Sequence, residues 1–567
     1  MKRIVTLFMV SAVFSVFLFS NAKLTQAALF KDVPHTYWAY EDIGFISSHG
    51  VVNGYTDGTF RAGEGITRKD AAIMMTRALD APSVIRATVE VEDINPNSPG
   101  YSQIMTAVEK DWLSLYDNKF EPYALLTRDE MSKMIATAYD YKGKGRSLFS
   151  DVPETNVYYP YVDAIAYHEV TTGYKDGTFR PDVFVTRAQF SAFVARVYSK
   201  PVSYEVKSQG EVVATETSVE DALKIVDSYP KGTIHPKSNK FVEYAQTIGS
   251  SDKTGLNSGV LIYNGVKEKE TFTPEFFNHY LTSDIGDGIR REMFDTFVIL
   301  GLRYNTEGNM FTDSTSNHAN YEDWQNYLDR TFSPDGAIHN LDSAARTNGR
   351  VVDAYISIPY PKRNESIISL DGKDLGTGLY PRYDLASWYV KETLKRFERE
   401  GYNNVKLKGF YWVSETVRTS EDEIIISSIS SMLKPHKKYF IYSPHALSTN
   451  FHKWREYGFD GAFLQPNAFR TSIKDKENRL HQAFLNAQIY GTGITIEIDS
   501  YGLGQVASNE GVEAFNLYMD FAKRYGLDEK GMMFYQGVNM VERMNTIEHP
   551  VYKQWYNQLN TTFFNPK

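Results

Sequence analysis

The first third of the chain repeats itself, and a repeat restricts the fold before any single residue is interpreted. Phe30-Lys31-Asp32-Val33-Pro34 returns as Phe149-Ser150-Asp151-Val152-Pro153. Gly54-Tyr55-Thr56-Asp57-Gly58-Thr59-Phe60-Arg61 returns as Gly173-Tyr174-Lys175-Asp176-Gly177-Thr178-Phe179-Arg180. Both offsets are 119 residues, so a third copy belongs midway. Glu92-Asp93-Ile94 opens it, and Leu126-Thr127-Arg128 aligns with Ile66-Thr67-Arg68 and Val185-Thr186-Arg187. Each unit, about 60 residues long, reads as a helix, a glycine-rich loop and a second helix opened by a threonine N-cap. In the middle copy the loop becomes Leu113–Glu121, which lacks the glycines and ends on an acid.

These motifs, over roughly Phe30–Ser199, resemble S-layer homology domains, with copies at 30–80, 92–141 and 149–199. The resemblance implies an all-α pseudo-threefold trimer that holds a protein on the pyruvylated secondary polysaccharide of a Gram-positive wall. It carries Arg68, Arg128 and Arg187 over as wall-polymer ligands. A helix N-terminus with an arginine on its first turn offers backbone N–H groups and a bidentate cation to a pyruvate carboxylate. The third copy has Gln189 where that family often has an acid. The lost loop glycines single out the middle copy's groove, and with it Arg128, as the weakest.

At 567 residues the chain requires two or more domains. Met1–Ala27 has a basic start, a short apolar run and small residues at its end, the pattern of a cleaved export signal. No later apolar run is long enough to span a bilayer, so no membrane contact is expected after cleavage. With no cysteine there is no disulfide, thiolate metal site or thiol nucleophile, which suits the outside of a Gram-positive cell. Net charge −9 without a long basic run argues against nucleic acid.

Beyond Ser199 the pattern changes. Val202–Ser218 alternates like a hairpin, Val219–Ser228 reads as a short helix, and 201–248 is expected to be a small α+β spacer. From Leu256 to the C-terminus, eight strand-like runs alternate with helical patterns. The runs are Gly259–Asn264, Thr296–Tyr304, Val352–Pro359, Lys408–Glu415, Lys438–His445, Gly461–Gln465, Ile494–Asp499 and Met532–Gln536. Such alternation predicts an α/β (β/α)8 barrel over 256–567. An open doubly wound sheet would need a glycine-rich phosphate loop after its first strand, and Tyr263-Asn264-Gly265-Val266 is not one.

A parallel barrel delivers the last residues of every strand to one face, where active sites are built. Those residues are Tyr263, Asn264, Tyr360, Trp412, Glu415, His445, Gln465, Asn467, Glu497, Asp499, Tyr501, Tyr535 and Gln536. Glu415 closes the fourth run and Glu497 lies near the end of the seventh, so the two carboxylates are predicted to meet across one cleft, as glycosidic hydrolysis requires. Asp499 has the same parity as Glu497 and is the alternative acid. The placement is similar to that of the retaining β-glycosidases, which implies Glu415 as acid/base and Glu497 as nucleophile. Ser414 stands where those enzymes usually carry Asn.

Leu256–Leu559 also resembles a bacterial family catalogued as domain of unknown function 4855, which supplies an architecture and no activity. Histidines 445, 452 and 481 lie on separate elements and no HExxH pair exists, so neither a catalytic metal nor any other cofactor is expected. No G-x-S-x-G elbow occurs. Two readings follow: a wall-anchored glycoside hydrolase with a polysaccharide substrate, or a surface protein whose barrel binds glycan or is structural.

Overall fold

The computed structural model of the chain describes residues 30–564, apart from 35–36, 82–88, 144, 146–148, 169, 175, 199–200, 202, 217–218, 238–253, 265–271, 287, 303–311, 313–318, 447, 449, 470–474, 499–508 and 528–530. The expected signal segment, Asp499 and Tyr501 lie outside the described residues. The chain divides into two units, Met1–Lys200 and Pro201–Lys567.

The first unit holds three helix pairs: α1 (Tyr40–Ser48) with α2 (Arg68–Leu79), α3 (Tyr101–Glu109) with α4 (Arg128–Ala138), and α5 (Tyr159–Tyr167) with α6 (Arg187–Tyr198). Each second helix packs on the first helix of the next copy, α2 on α3, α4 on α5 and α6 on α1, so the three copies close into a ring. At its centre three backbone hydrogen bonds form a cycle: Ile66 N–H to Val185 O, Val185 N–H to Leu126 O and Leu126 N–H to Ile66 O, each 2.9 Å.

The motif residues have local reasons. Asp32, Asp93 and Asp151 each accept two consecutive backbone N–H groups, at Phe60–Arg61, Phe120–Glu121 and Phe179–Arg180. This ties the opening of each copy to the end of its loop. A Cβ on Gly54 would lie 2.4 Å from the Phe30 ring, so glycine is required there. The middle copy reaches the same end point through a tight turn in which Asp117 (φ 46) and Asn118 (φ 59) are both left-handed, a conformation these two residue types tolerate.

In the second unit, β1 (Ser203–Ser208), β2 (Glu211–Glu216) and β3 (Thr233–Lys237) form an antiparallel sheet ordered β2-β1-β3, accompanied by α7 (Val219–Val226). The hairpin and helix match expectation, but the segment does not behave as a free spacer. Val206, Ala222, Val226 and Ile234 belong to the same apolar core as the barrel, and the Gln488 side chain donates to Ile234 O at 2.8 Å.

The barrel is closed and entirely parallel: β4 (Ser258–Tyr263), β7 (Thr296–Leu300), β8 (Val352–Ile358), β9 (Val405–Trp412), β10 (Tyr439–Tyr442), β11 (Gly461–Leu464), β12 (Gly493–Ile498) and β13 (Met532–Gln536), which pairs back with β4. The two-residue strands β5 (Thr282–Ser283) and β6 (Arg291–Glu292) pair as a short ribbon between β4 and β7. Left-handed Gly401, Gly458 and Gly491 end the helices that precede β9, β11 and β12. All eight strands were legible in sequence, with two consequential differences of boundary. The fourth stops at Trp412 rather than Glu415, and the fifth stops at Tyr442 rather than His445.

Candidate functional site

At the C-terminal end of the barrel, three strands are joined by interior side chains. The Ser443 and Thr495 hydroxyls are 2.7 Å apart, Ser443 Oγ donates to Phe463 O at 2.7 Å, and Gln465 Nε2 donates to Ser443 O at 2.7 Å. The Tyr411 hydroxyl is hydrogen-bonded to Ser443. Burial pushes the Tyr411 phenol well up, and the charges of Glu415 and Tyr535 add to the rise, so both lie within electrostatic reach of it. Tyr535 is the register partner of Glu497, and its ring meets that of Tyr263 edge-on at 6.1 Å.

Glu497 is 5% exposed. One of its oxygens accepts from the backbone N–H of Asn467 and from the hydroxyl of Tyr518, which lies on the helix Asn509–Arg524. Two donors on one oxygen hold the carboxylate in place. Burial drives Tyr518 well above its ordinary value, and the adjoining Glu497 charge adds to this, so the phenol stays a donor. Asn467 reaches its position with φ 56, a left-handed turn that Asn tolerates. Glu415 is exposed, on a bend three residues beyond β9. Its carbonyl accepts from His445 N–H, which fixes the bend against the loop after β10. His445 in turn bridges to Gln465 in parallel fashion.

Four expected lining residues face the helix layer instead. Trp412 is fully buried against Tyr360 and Phe440. The Tyr360 hydroxyl donates to Asp422, which is ion-paired with the fully buried Arg382. Asn264 donates to Thr331, and Gln536 is held by Leu261 O, Tyr280 and Val541 N–H. The physical reason is strand parity. Counting back from Glu415 in steps of two selects Val413 and Tyr411, not Trp412. Tyr411 and Ser443 were therefore accessible to sequence reasoning, whereas Tyr518, on a helix, carried no signal. Two surface clefts, of about 340 Å³ beside Val405, Lys406 and His436 and about 640 Å³ beside Asp284, His549 and Lys553, lie at the opposite end of the barrel.

In the repeats, Arg68, Arg128 and Arg187 open α2, α4 and α6, and all three are buried. Each points into the neighbouring copy: Arg68 Nε donates to Phe120 O, Arg128 Nε to Phe179 O and Arg187 Nε to Phe60 O, at 2.8, 2.8 and 2.9 Å. The helix N–H groups expected to receive a ligand are already taken. Those of Arg68 and Lys69 donate to Ala124 O and Pro122 O, and the other two helices repeat the pattern with Val183, Pro181, Glu64 and Ala62. The guanidinium groups are thus what remains for an anion. The geometry also reassigns the altered middle loop. It faces Arg68, while Arg128 faces the glycine loop of the third copy.

The model of the family described as domain of unknown function (DUF4855) matches residues 258–561. The chain belongs to the DUF4855 family. The S-layer homology domain model matches residues 29–72 and 148–191 of this DUF4855 protein, the first and third copies, and marks it as an exported cell-surface protein. The S-layer protein sap of Bacillus anthracis is 26% identical over 43% of the chain and 30% of its own length. An S-layer protein of Bacillus licheniformis is 29% identical over 33% and 22%. An endoglucanase of Bacillus sp. (strain KSM-635) is 25% identical over 37% and 22%. The DUF4855 chain thus spans less than a third of the length of these relatives. Among solved structures, a glycoside hydrolase family 5 enzyme from Prevotella bryantii B14 superposes with TM-score 0.33 at 11% identity, over 55% of the chain and 98% of its own. A GH113 β-1,4-mannanase gives 0.32 at 8% identity, over 54% and 99%.

Proposed function

We propose that this is a wall-anchored glycoside hydrolase whose repeats hold a pyruvylated wall polysaccharide through Arg68, Arg128 and Arg187 and whose barrel cleaves a cell-surface or extracellular polysaccharide. The observation that carries the enzymatic reading is Glu497, a carboxylate at the end of the seventh barrel strand held by two donors on one oxygen. A carboxylate fixed in this way is prepared to attack an anomeric carbon. Glu415, on the loop after the fourth strand and within reach of Tyr411, is the acid that protonates the departing glycosidic oxygen and then activates water. Tyr263 and Tyr535 offer aromatic faces for a sugar ring, and His445, Gln465 and Asn467 offer polar contacts beside them. This is the retaining course, in which the Glu497–sugar bond forms as the glycosidic bond breaks. An endoglucanase among the relatives is consistent with a glycan substrate.

A non-catalytic glycan-binding barrel is favoured by one observation: Glu415 is exposed, on a bend outside the strand, rather than enclosed at the barrel's end. The experiment is release of reducing ends from a panel of purified wall and extracellular polysaccharides by wild type, E415Q and E497A, with azide added to E497A. Release that falls by orders of magnitude in both variants, with a glycosyl azide formed from E497A, is the expected result. No release from wild type leaves the binding barrel, and release unchanged in both variants removes Glu415 and Glu497 from the chemistry.

A further inference from the structure

The cleft of about 340 Å³ at the base of the barrel opens between the two segments that lead into β9 and β10. One is the turn after Gly401, which ends the helix Leu379–Glu400, and the other is the helical turn Lys434–His436. Both walls are tied down. Asp342 accepts from the backbone N–H groups of Asn404 and Val405, and Lys438 Nζ donates to Leu407 O at 2.6 Å, joining one segment to the other. Phe397, Tyr402 and Leu407 give the cleft an apolar lining.

Its charge is one-sided. Lys406, His436 and Lys438 line it against a single acid, Glu398. The basic groups close by are already neutralised: Lys395 and Arg396 by Glu392, Arg399 by Glu400 and Lys408 by Asp353. Among the described residues none of the three that line the cleft has an acidic partner. The chain as a whole has net charge −9, so an unneutralised basic cleft is not what its average surface would supply. Burial lowers Lys438 from its ordinary value, and the Lys408 charge acts in the same direction against the pull of Asp353. An anion in the cleft would favour the charged form of Lys438.

We propose that this cleft is a second glycan site, which takes a carboxylate-bearing sugar with Lys406 and His436 at the carboxylate and Phe397 and Tyr402 against the ring. A carboxylate accepts from an ammonium and from an imidazole N–H, and the C–H face of a sugar packs on aromatic carbon. An inorganic anion has no use for the apolar lining, and a neutral sugar has none for the three bases. The volume stands at the lower end of the range for small-ligand sites, roughly 300–1,000 Å³, which suits a short stretch of saccharide. Polysaccharide is also the acidic polymer that an exported cell-surface protein meets. The site lies at the end of the barrel opposite Glu415 and Glu497, so it goes beyond the hydrolase and anchoring readings and rests on neither.

The test is calorimetric titration of the full chain with a galacturonic acid trisaccharide, a neutral glucose trisaccharide, triglutamate and inorganic phosphate. Wild type should bind the uronate trisaccharide, more weakly as salt is raised. In the double variant K406E with H436A, both exposed positions, one site per chain should be lost or weakened about tenfold or more, with the melting temperature unchanged. Counting sites per chain keeps this loss separate from any carboxylate held by the repeats. No binding by wild type, or an unchanged site count and affinity in the double variant, overturns the proposal and leaves the hydrolase and anchoring readings standing. Equal binding of the glucose trisaccharide overturns the role of the bases, and equal binding of triglutamate or phosphate at this site overturns the choice of a saccharide.

Discussion

The Tyr518 hydroxyl donates to the Glu497 carboxylate, joining the seventh barrel strand to the helix that follows it. Removing that donor takes away one of the two hydrogen bonds described above for this oxygen. In Y518F, kcat should therefore fall roughly 10- to 100-fold, on the order of 1–3 kcal/mol for a hydrogen bond to a charge, with KM little changed. Steady-state kinetics check this. A fall confined to KM would assign Tyr518 to packing.

Arg382 and Asp422 form a buried ion pair that also holds Tyr360, Pro361 O and, through Asp422, the Arg418 N–H of the loop carrying Glu415. Breaking the pair in R382A leaves a buried carboxylate unpaired. Denaturant unfolding should show a loss of about 3–5 kcal/mol. A loss below about 1 kcal/mol would mean that water reaches Asp422.

The small sheet shares the barrel's core through Val206, Ala222, Val226 and Ile234. A fragment from Pro201 should unfold in one cooperative transition. One from Leu256 should expose Leu485 and Ile489, against which Tyr204 packs, and should melt lower or aggregate. Calorimetry of the two fragments distinguishes the cases, and equal melting temperatures would restore the spacer reading.

Asp57 and Asp176 are each held down to about 2, chiefly by the Thr59 and Thr178 hydroxyls. A carboxyl depressed in the folded state contributes stability that is complete above its unfolded value, near 4, and is lost as pH falls toward about 2. The first and third loops should therefore loosen between about pH 4 and 2, and T59A should move the Asp57 midpoint upward. Carboxyl chemical shifts followed by NMR report both midpoints, and an unshifted Asp57 in T59A would remove the cause assigned here.

The sequence by itself determined the repeat and the barrel, because both are written in local patterns. Asp32, Asp93 and Asp151 recur with the loops they tie, and each barrel strand is a short apolar run between helical stretches. What only the tertiary structure decided is which surfaces meet. Each arginine docks in the next copy rather than its own, so the altered middle loop bears on Arg68 and the third copy's glycine loop on Arg128. At strand ends one residue of difference reverses the direction of a side chain. Trp412, Asn264 and Gln536 therefore join the helix layer, while Tyr411, Ser443 and Thr495 fill the interior. Pairings such as Glu130 with Arg68 and Tyr518 with Glu497 join distant segments through packing, and no spacing along the chain encodes them.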